Sequence, residues 1–341
     1  MIPNRPLSIL TAAVLVMSAA RALAGPAYTL SMSTPLGTPD RWDYVVFSSE
    51  TGRVYVAHGD KVAVIDARSG NLVGQVEGIA GGTHGSAISA ATGQGFTDDG
   101  RNGLAIVYDL KTLKITRQIP ADKDADAIAF DRASGRVFVI EGDPASITVI
   151  DPKTDTVAAT IRVGEKMEYA AGDGRGAVFV AGVEKRDLLK IDARTNTVGA
   201  RWPTPDCASP HGLALDAEHH RAFMGCVNSM MMVVDTTSGA LVAKLPIGRG
   251  NDAMAYDPKR KRVFSSNGLD GTVSVYQQVT PDKYEALNTL TTAVSGRTMD
   301  VDPETGRLFV AAADVDPPAT PGGRPRPKAG TLRLMMLDPV P

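Results

Sequence analysis

Aromatic residues are scarce in this chain of 341 residues: 8 Phe, 8 Tyr and 2 Trp. Cysteine is scarcer, with Cys207 and Cys226 the only two, and no CxxC spacing occurs. Such a pair reads first as a disulfide and more weakly as a two-cysteine metal site. Neither sign of charge dominates: 36 Lys and Arg face 38 Asp and Glu, a formal charge of −2. Nucleic-acid binders show a basic excess or a basic face, so no nucleic-acid partner is expected. Beyond the N-terminus no run is apolar enough to cross a bilayer. Nor does any helical apolar period persist past two turns there. A P-loop, a glycine-rich dinucleotide turn in its proper context and a G-x-S-x-G elbow are missing too. No nucleotide cradle or serine nucleophile is therefore signalled.

Turn formers are plentiful. The 34 Gly and 22 Pro make about one residue in six, above the usual share of roughly 12%. Hydrophobic residues make up 43%, enough to bury a core. The N-terminus reads as an export signal, residues 1–24. Asn4 and Arg5 form a short n-region, Leu7 to Ala20 is an apolar run, and Ala22-Leu23-Ala24 fits a small-residue cleavage site. Cleavage after Ala24 removes Arg5 and Arg21 and no acidic residue, taking the formal charge from −2 to −4. A periplasmic or secreted protein without a membrane span is expected.

The chain repeats. Arg53-Val54-Tyr55-Val56 has counterparts around Phe96, Phe138, Phe179, Phe223, Phe264 and Phe309. The intervals run 41, 42, 41, 44, 41 and 45 residues. An apolar alternating strand precedes each aromatic strand, as in Ala127 to Asp131. A third strand follows and ends in Asp, as in Val149-Ile150-Asp151, and a fourth closes the unit. Asp, Thr and Gly fill the turns, where Asp and Thr side chains bond nearby backbone and Gly supplies positive φ. Four strands per unit of about 42 residues is the pattern of propeller blades, and neighbouring blades must stack to cover their faces. The expected fold is all-β: a seven-bladed β-propeller of four antiparallel strands per blade over residues 25–341. Tyr28 to Thr38 reads like a fourth strand, so the N-terminal strand is expected to close the last blade and remove an open sheet edge. Met230-Met231-Met232 and Met335-Met336 read as core strand residues ahead of a copper-binding cluster.

These motifs carry a resemblance. Gly52-Arg53-Val54-Tyr55-Val56-Ala57, Gly135-Arg136-Val137-Phe138-Val139, Gly306-Arg307-Leu308-Phe309-Val310 and the Ile-Asp-x-x-Thr turns resemble the YVTN/YncE-type seven-bladed propeller family. The resemblance spans nearly all of the mature chain. It implies the architecture and leaves the activity open. Unit 6 departs, with Gln277 where Asp is expected, and unit 7 carries a proline-rich insertion.

Propeller ligand sites lie over the central channel, at the start of each innermost strand. Counting back twelve residues from each repeat aromatic gives Asp43, His84, Asp126, His211, Asp252 and Arg297. A shorter turn in blade 4 brings Glu168 to the same place. This ring has two readings. It borders a water-filled channel and satisfies backbone groups, or it binds a divalent metal ion or a small polar ligand. Carboxylates and imidazoles suit several divalent metals, and His84, Glu168, His211 and Asp252 are the donor candidates. A Cys207–Cys226 disulfide would pin the loop that carries His211.

The other loops on this face are His58-Gly59-Asp60, Asp98 to Arg101, Glu141-Gly142-Asp143, Glu184-Lys185-Arg186 and Asn267. They read mostly as solvated. The insertion at 314–328 reads as a tolerated mobile loop first and as a partner contact or channel cover second. The expected function is that of an exported monomer binding a small polar ligand or a protein partner through the channel-mouth face. A metal-dependent, lactonase-like hydrolase and an accessory protein of a periplasmic redox system are the alternatives.

Overall fold

Each repeat unit folds into one antiparallel sheet, because its strands alternate or run apolar and its turns are short. In the computed structural model, residues 27–320 and 325–340 are described. The expected signal peptide and Arg324 of the insertion lie outside them. Blade 1 comprises Val45–Ser48, Arg53–His58, Lys61–Asp66 and Leu72–Glu77, paired in chain order. Blades 2 to 5 repeat the pattern up to Leu241–Pro246. The only helical turn among the described residues is a 3-10 turn at Gly100–Asn102. Blade 7 has Thr298–Val301, Leu308–Ala312 and Arg333–Pro339, and Tyr28–Pro35 pairs with the last of these. The N-terminal strand thus closes the ring, as expected.

The repeat aromatics explain how the blades hold together. Tyr55, Phe96, Phe138, Phe179, Phe223, Phe264 and Phe309 are all buried. Each sits in a different one of seven apolar clusters, and each cluster spans two neighbouring blades. Phe138, for example, packs with Met167, Val178 and Val180 of the next blade. Met231, Met232, Met335 and Met336 are buried in these clusters as core residues. The repeat arginine laces blades from outside. Arg53 Nη1 donates to Leu110 O at 2.7 Å and Arg307 Nη1 to Ala67 O at 2.8 Å, each in the following blade.

The aspartates ending the third strands are turn builders. Asp192 Oδ1 accepts from Arg194 N at 2.8 Å and Thr195 N at 2.9 Å. Asp235 does the same with Thr237 N and Ser238 N. Gly239, at φ +76, then takes the left-handed step that ends the turn.

Blade 6 lacks this turn for a visible reason. Its third strand runs on through Gln277 as Thr272–Thr280 and turns back into Lys283–Ala286. Leu290–Thr291 completes the pairing further along the same strand. The insertion in blade 7 is likewise ordered where described. Val315–Asp316 pairs with Arg326–Pro327, and Gly330 N donates to Asp40 Oδ1 at 2.7 Å. These described residues pair as a short two-stranded ladder.

Candidate functional site at the channel mouth

All seven ring residues fall at or within two residues of the start of an innermost strand. Asp126, Glu168, His211 and Asp252 are second in theirs, Arg297 precedes Thr298–Val301, and Asp43 and His84 stand two residues ahead. Inter-blade hydrogen bonds fix their positions. Tyr44 N donates to His84 O at 3.0 Å, Thr298 Oγ1 to Asp43 O at 2.7 Å, and Arg297 Nη2 to Trp42 O at 2.6 Å.

The ring divides into three groups. Arg297 forms the first, with Nη1 at 2.8 Å from Asp252 and Nη2 at 3.8 Å from Asp43, its guanidinium 5.8 Å from the Trp42 ring centre. His84 forms the second. Its Nδ1 lies 2.7 Å from Asp98 Oδ2, and Asp98 Oδ1 accepts from the backbone N–H of His84 and Gly85. Burial works against charge on His84, but Asp98, then Asp126 and Asp43, outweigh it and raise the imidazole to about 9. In the third group, ligand atoms of Glu168, His211 and Asp252 all lie within 4.8 Å of one another. These are neighbouring ring positions of blades 4, 5 and 6. His84 does not belong to this cluster, being held by Asp98.

Carboxylates outnumber cations at the mouth. Burial pushes Asp43 up to about 7 even against the pull of Arg297. Burial and the charge of Glu168 push Asp126 up to about 8. Burial with the charges of Asp252 and Asp43 brings Glu168 to about 7.

Two features were hidden in the sequence. First, the residues just after Asp43 and Glu168 are Tyr44 and Tyr169, whose rings meet edge to face with centroids 4.9 Å apart. Blades 1 and 4 lie across the ring from each other, so this pair spans the channel. The repeated Asp-Tyr and Glu-Tyr steps were the available signal. Second, a cavity of about 570 Å³ opens beside the ring over blades 5 to 7. His211, Asp252 and Arg297, with Asp40, Arg41 and Arg249, are among its polar lining, and Trp42, Val227, Leu269, Pro325 and Pro327 form its apolar side. Two prolines of the blade 7 insertion therefore wall the cavity.

Several loop residues expected to be solvated are buried instead. His58, Asp98, Asp99, Glu141 and Asn267 all end second strands and are buried, Asp98 just before the end. His58 Nε2 bonds Pro39 O at 2.6 Å. Glu141 accepts from Ser146 Oγ at 2.6 Å and Asp122 N at 3.0 Å. Asn267 donates to Ser274 Oγ at 2.9 Å. Their polarity serves internal hydrogen bonding, which buried groups require. The Cys207–Cys226 bridge forms, with both residues buried against Phe179, Leu213 and Met224. It ties the loop entering His211 to the end of strand Arg221–Cys226.

No family model and no curated protein sequence matches the chain. Its fold is similar to solved structures. The WD40 repeats of RRP9 superpose with a TM-score of 0.76 at 11% identity, covering 92% of this chain and 99% of that one. A chain of a mitotic checkpoint complex gives 0.74 at 15% identity, covering 99% of each. Kuenenia stuttgartiensis hydrazine synthase gives 0.69 at 14%, covering 85% of this chain and 96% of that one. At these identities the likeness shows the propeller fold alone.

Proposed function

We propose that this is an exported propeller of YVTN/YncE type that binds a small ligand in its channel-mouth cavity. The ligand is polar at one end and apolar along its body. The cavity carries this reading. Its volume of about 570 Å³ falls in the range of small-molecule sites, about 300–1,000 Å³, which are mostly apolar with a few placed polar groups. His211, Asp252 and Arg297 would meet the polar end, and Trp42, Val227 and Leu269 the apolar body. Export is supported by the apolar N-terminal run and by the Cys207–Cys226 bridge. Among the described residues no helix is long and apolar enough to cross a membrane.

Thermal shift against a panel of small amphipathic acids, amines and sugars tests the reading. Some members should raise the Tm of the wild type and leave Leu269→Arg, which fills the cavity from its rim, unmoved. Equal shifts in both proteins, or none in either, would remove the cavity as the site.

A further inference from the structure

We infer that Glu168, His211 and Asp252 form a site for one divalent first-row transition-metal ion. The inference goes beyond the cavity reading and stands on the ring donors, whatever fills the cavity. Three neighbouring blades each contribute one donor, and the donor atoms lie within 4.8 Å of one another. Tetrahedral ligands at about 2.0–2.2 Å from an ion sit about 3.4 Å apart. Small rotations of side chains that are only partly buried close the difference.

The state of His211 is an independent sign. Its Nδ1 lies 3.0 Å from Ser209 O. A carbonyl only accepts, so Nδ1 is the donor in this contact and Nε2 is the ring nitrogen left to coordinate an ion. That atom faces Glu168 Oε1 at 4.0 Å, too far for a hydrogen bond and suited to an ion between them. Metal-binding histidines are oriented in this way, by a carbonyl on the opposite nitrogen. The cysteine loop leads directly into this residue, so the bridge Cys207–Cys226 anchors the donor.

Charge points the same way. Arg297 already serves Asp252 and Asp43. Lys166, two residues before Glu168, is engaged by Asp143 at 2.9 Å. Apart from His211, Glu168 has no ion-pair partner among the described residues, and Asp126 beside it has none. A divalent ion between the three donors would place positive charge in this carboxylate-rich sector of the ring. Arg297 bonds one oxygen of Asp252 and so orients this donor from outside the site. His211 and Asp252 also line the cavity, so an open coordination position would face its interior. One imidazole with two carboxylates suits Zn²⁺ or Mn²⁺, whereas Ca²⁺ and Mg²⁺ favour oxygen donors alone.

Tag-free protein, freed of metal with a chelator, is titrated with ZnCl₂, MnCl₂, CaCl₂ and MgCl₂ by calorimetry. One Zn²⁺ or Mn²⁺ per chain is expected, with Ca²⁺ and Mg²⁺ at least about tenfold weaker. Glu168→Gln and His211→Ala should each lower Zn²⁺ affinity at least about tenfold. Their metal-free Tm should match the wild type, and His220→Ala, on the surface, should keep full affinity. Co²⁺ should give a visible absorption band in the wild type that His211→Ala lacks. Leu269→Arg should retain the ion, which separates this site from the cavity reading. Unchanged affinity in both Glu168→Gln and His211→Ala, or no stoichiometric ion in the wild type, overturns the assignment.

Discussion

Tyr44 and Tyr169 meet across the channel with ring centroids 4.9 Å apart and planes at 86°. Tyr44 also joins the buried cluster between blades 3 and 4, so the ring of blade 1 packs against the opposite side of the molecule. Edge-to-face pairs contribute about 0.5–1.5 kcal/mol beyond their buried area. A double-mutant cycle of Tyr44→Leu and Tyr169→Leu should therefore give a coupling energy near ~1 kcal/mol in urea denaturation. A coupling indistinguishable from zero would mean that the two rings share a space without holding the blades together.

The His84–Asp98 pair gives the fold a pH signature. The groups facing the imidazole are Asp98, Asp126, Asp43 and Arg41. Arg41 Nη2 lies 3.4 Å from Nε2 and, as a donor only, favours the neutral ring. That contact is long and solvent-exposed, and it loses to the 2.7 Å bond with Asp98. Burial also pushes Asp98 up, but three donors converge on its carboxylate, so a charged imidazole beside it is the favoured state. The folded imidazole, at about 9, stands above its ordinary 6.5. Its contribution is complete below pH 6.5 and fades as pH rises through 9, a loss of up to ~3 kcal/mol. Tm measured from pH 6 to 10 should decline in the wild type and decline less in His84→Gln and in Asp98→Asn. Parallel profiles for all three would exclude the pair as the source.

The disulfide closes a loop with a sequence separation of 19 residues. Chain entropy values such a closure at about 3 kcal/mol. Its cysteines lie in the cluster between blades 4 and 5, so Cys207→Ala with Cys226→Ala should lose about 2–4 kcal/mol in urea denaturation. Mass analysis of the native protein under non-reducing conditions should find no free thiol. Two free thiols would sink the bridge.

The blades were legible in the sequence because every inter-blade space poses the same packing problem. Tyr55, Phe138 and Phe309 answer it with one ring at one position, and the interval exposes them. The mouth was legible too, since the count from Phe138 back to Asp126 spans a strand and a turn of nearly constant length. The Tyr44–Tyr169 contact was not legible, because it depends on the channel radius and not on any spacing along the chain. Glu141 and Asn267 misled for another reason. Sequence polarity cannot separate a solvated side chain from one satisfied inside, and both are satisfied inside. The proline-rich insertion looked incapable of packing, yet its short ladder brings Pro325 and Pro327 to the cavity wall.

Ring closure depends on Tyr28–Pro35, and its positions should differ sharply in cost with their burial. Tyr28 is buried, edge-on to Phe264 at 5.6 Å and beneath the guanidinium of Arg262. Leu30, on the same strand, is 55% exposed. Tyr28→Ala should therefore destabilise by about 3–5 kcal/mol, as aromatic truncations in cores do. Leu30→Lys should stay within about 0.5 kcal/mol. Removing residues 27–36 goes further, since it bares the strand Arg333–Pro339, whose register with Tyr28–Pro35 runs from Tyr28 opposite Pro339 to Pro35 opposite Arg333. An unpaired edge of that length is a template for self-association, so light scattering should show the truncated protein aggregating where the full chain stays dispersed. Equal costs for Tyr28→Ala and Leu30→Lys would place the closure in backbone pairing alone and leave the Phe264 contact without a structural role.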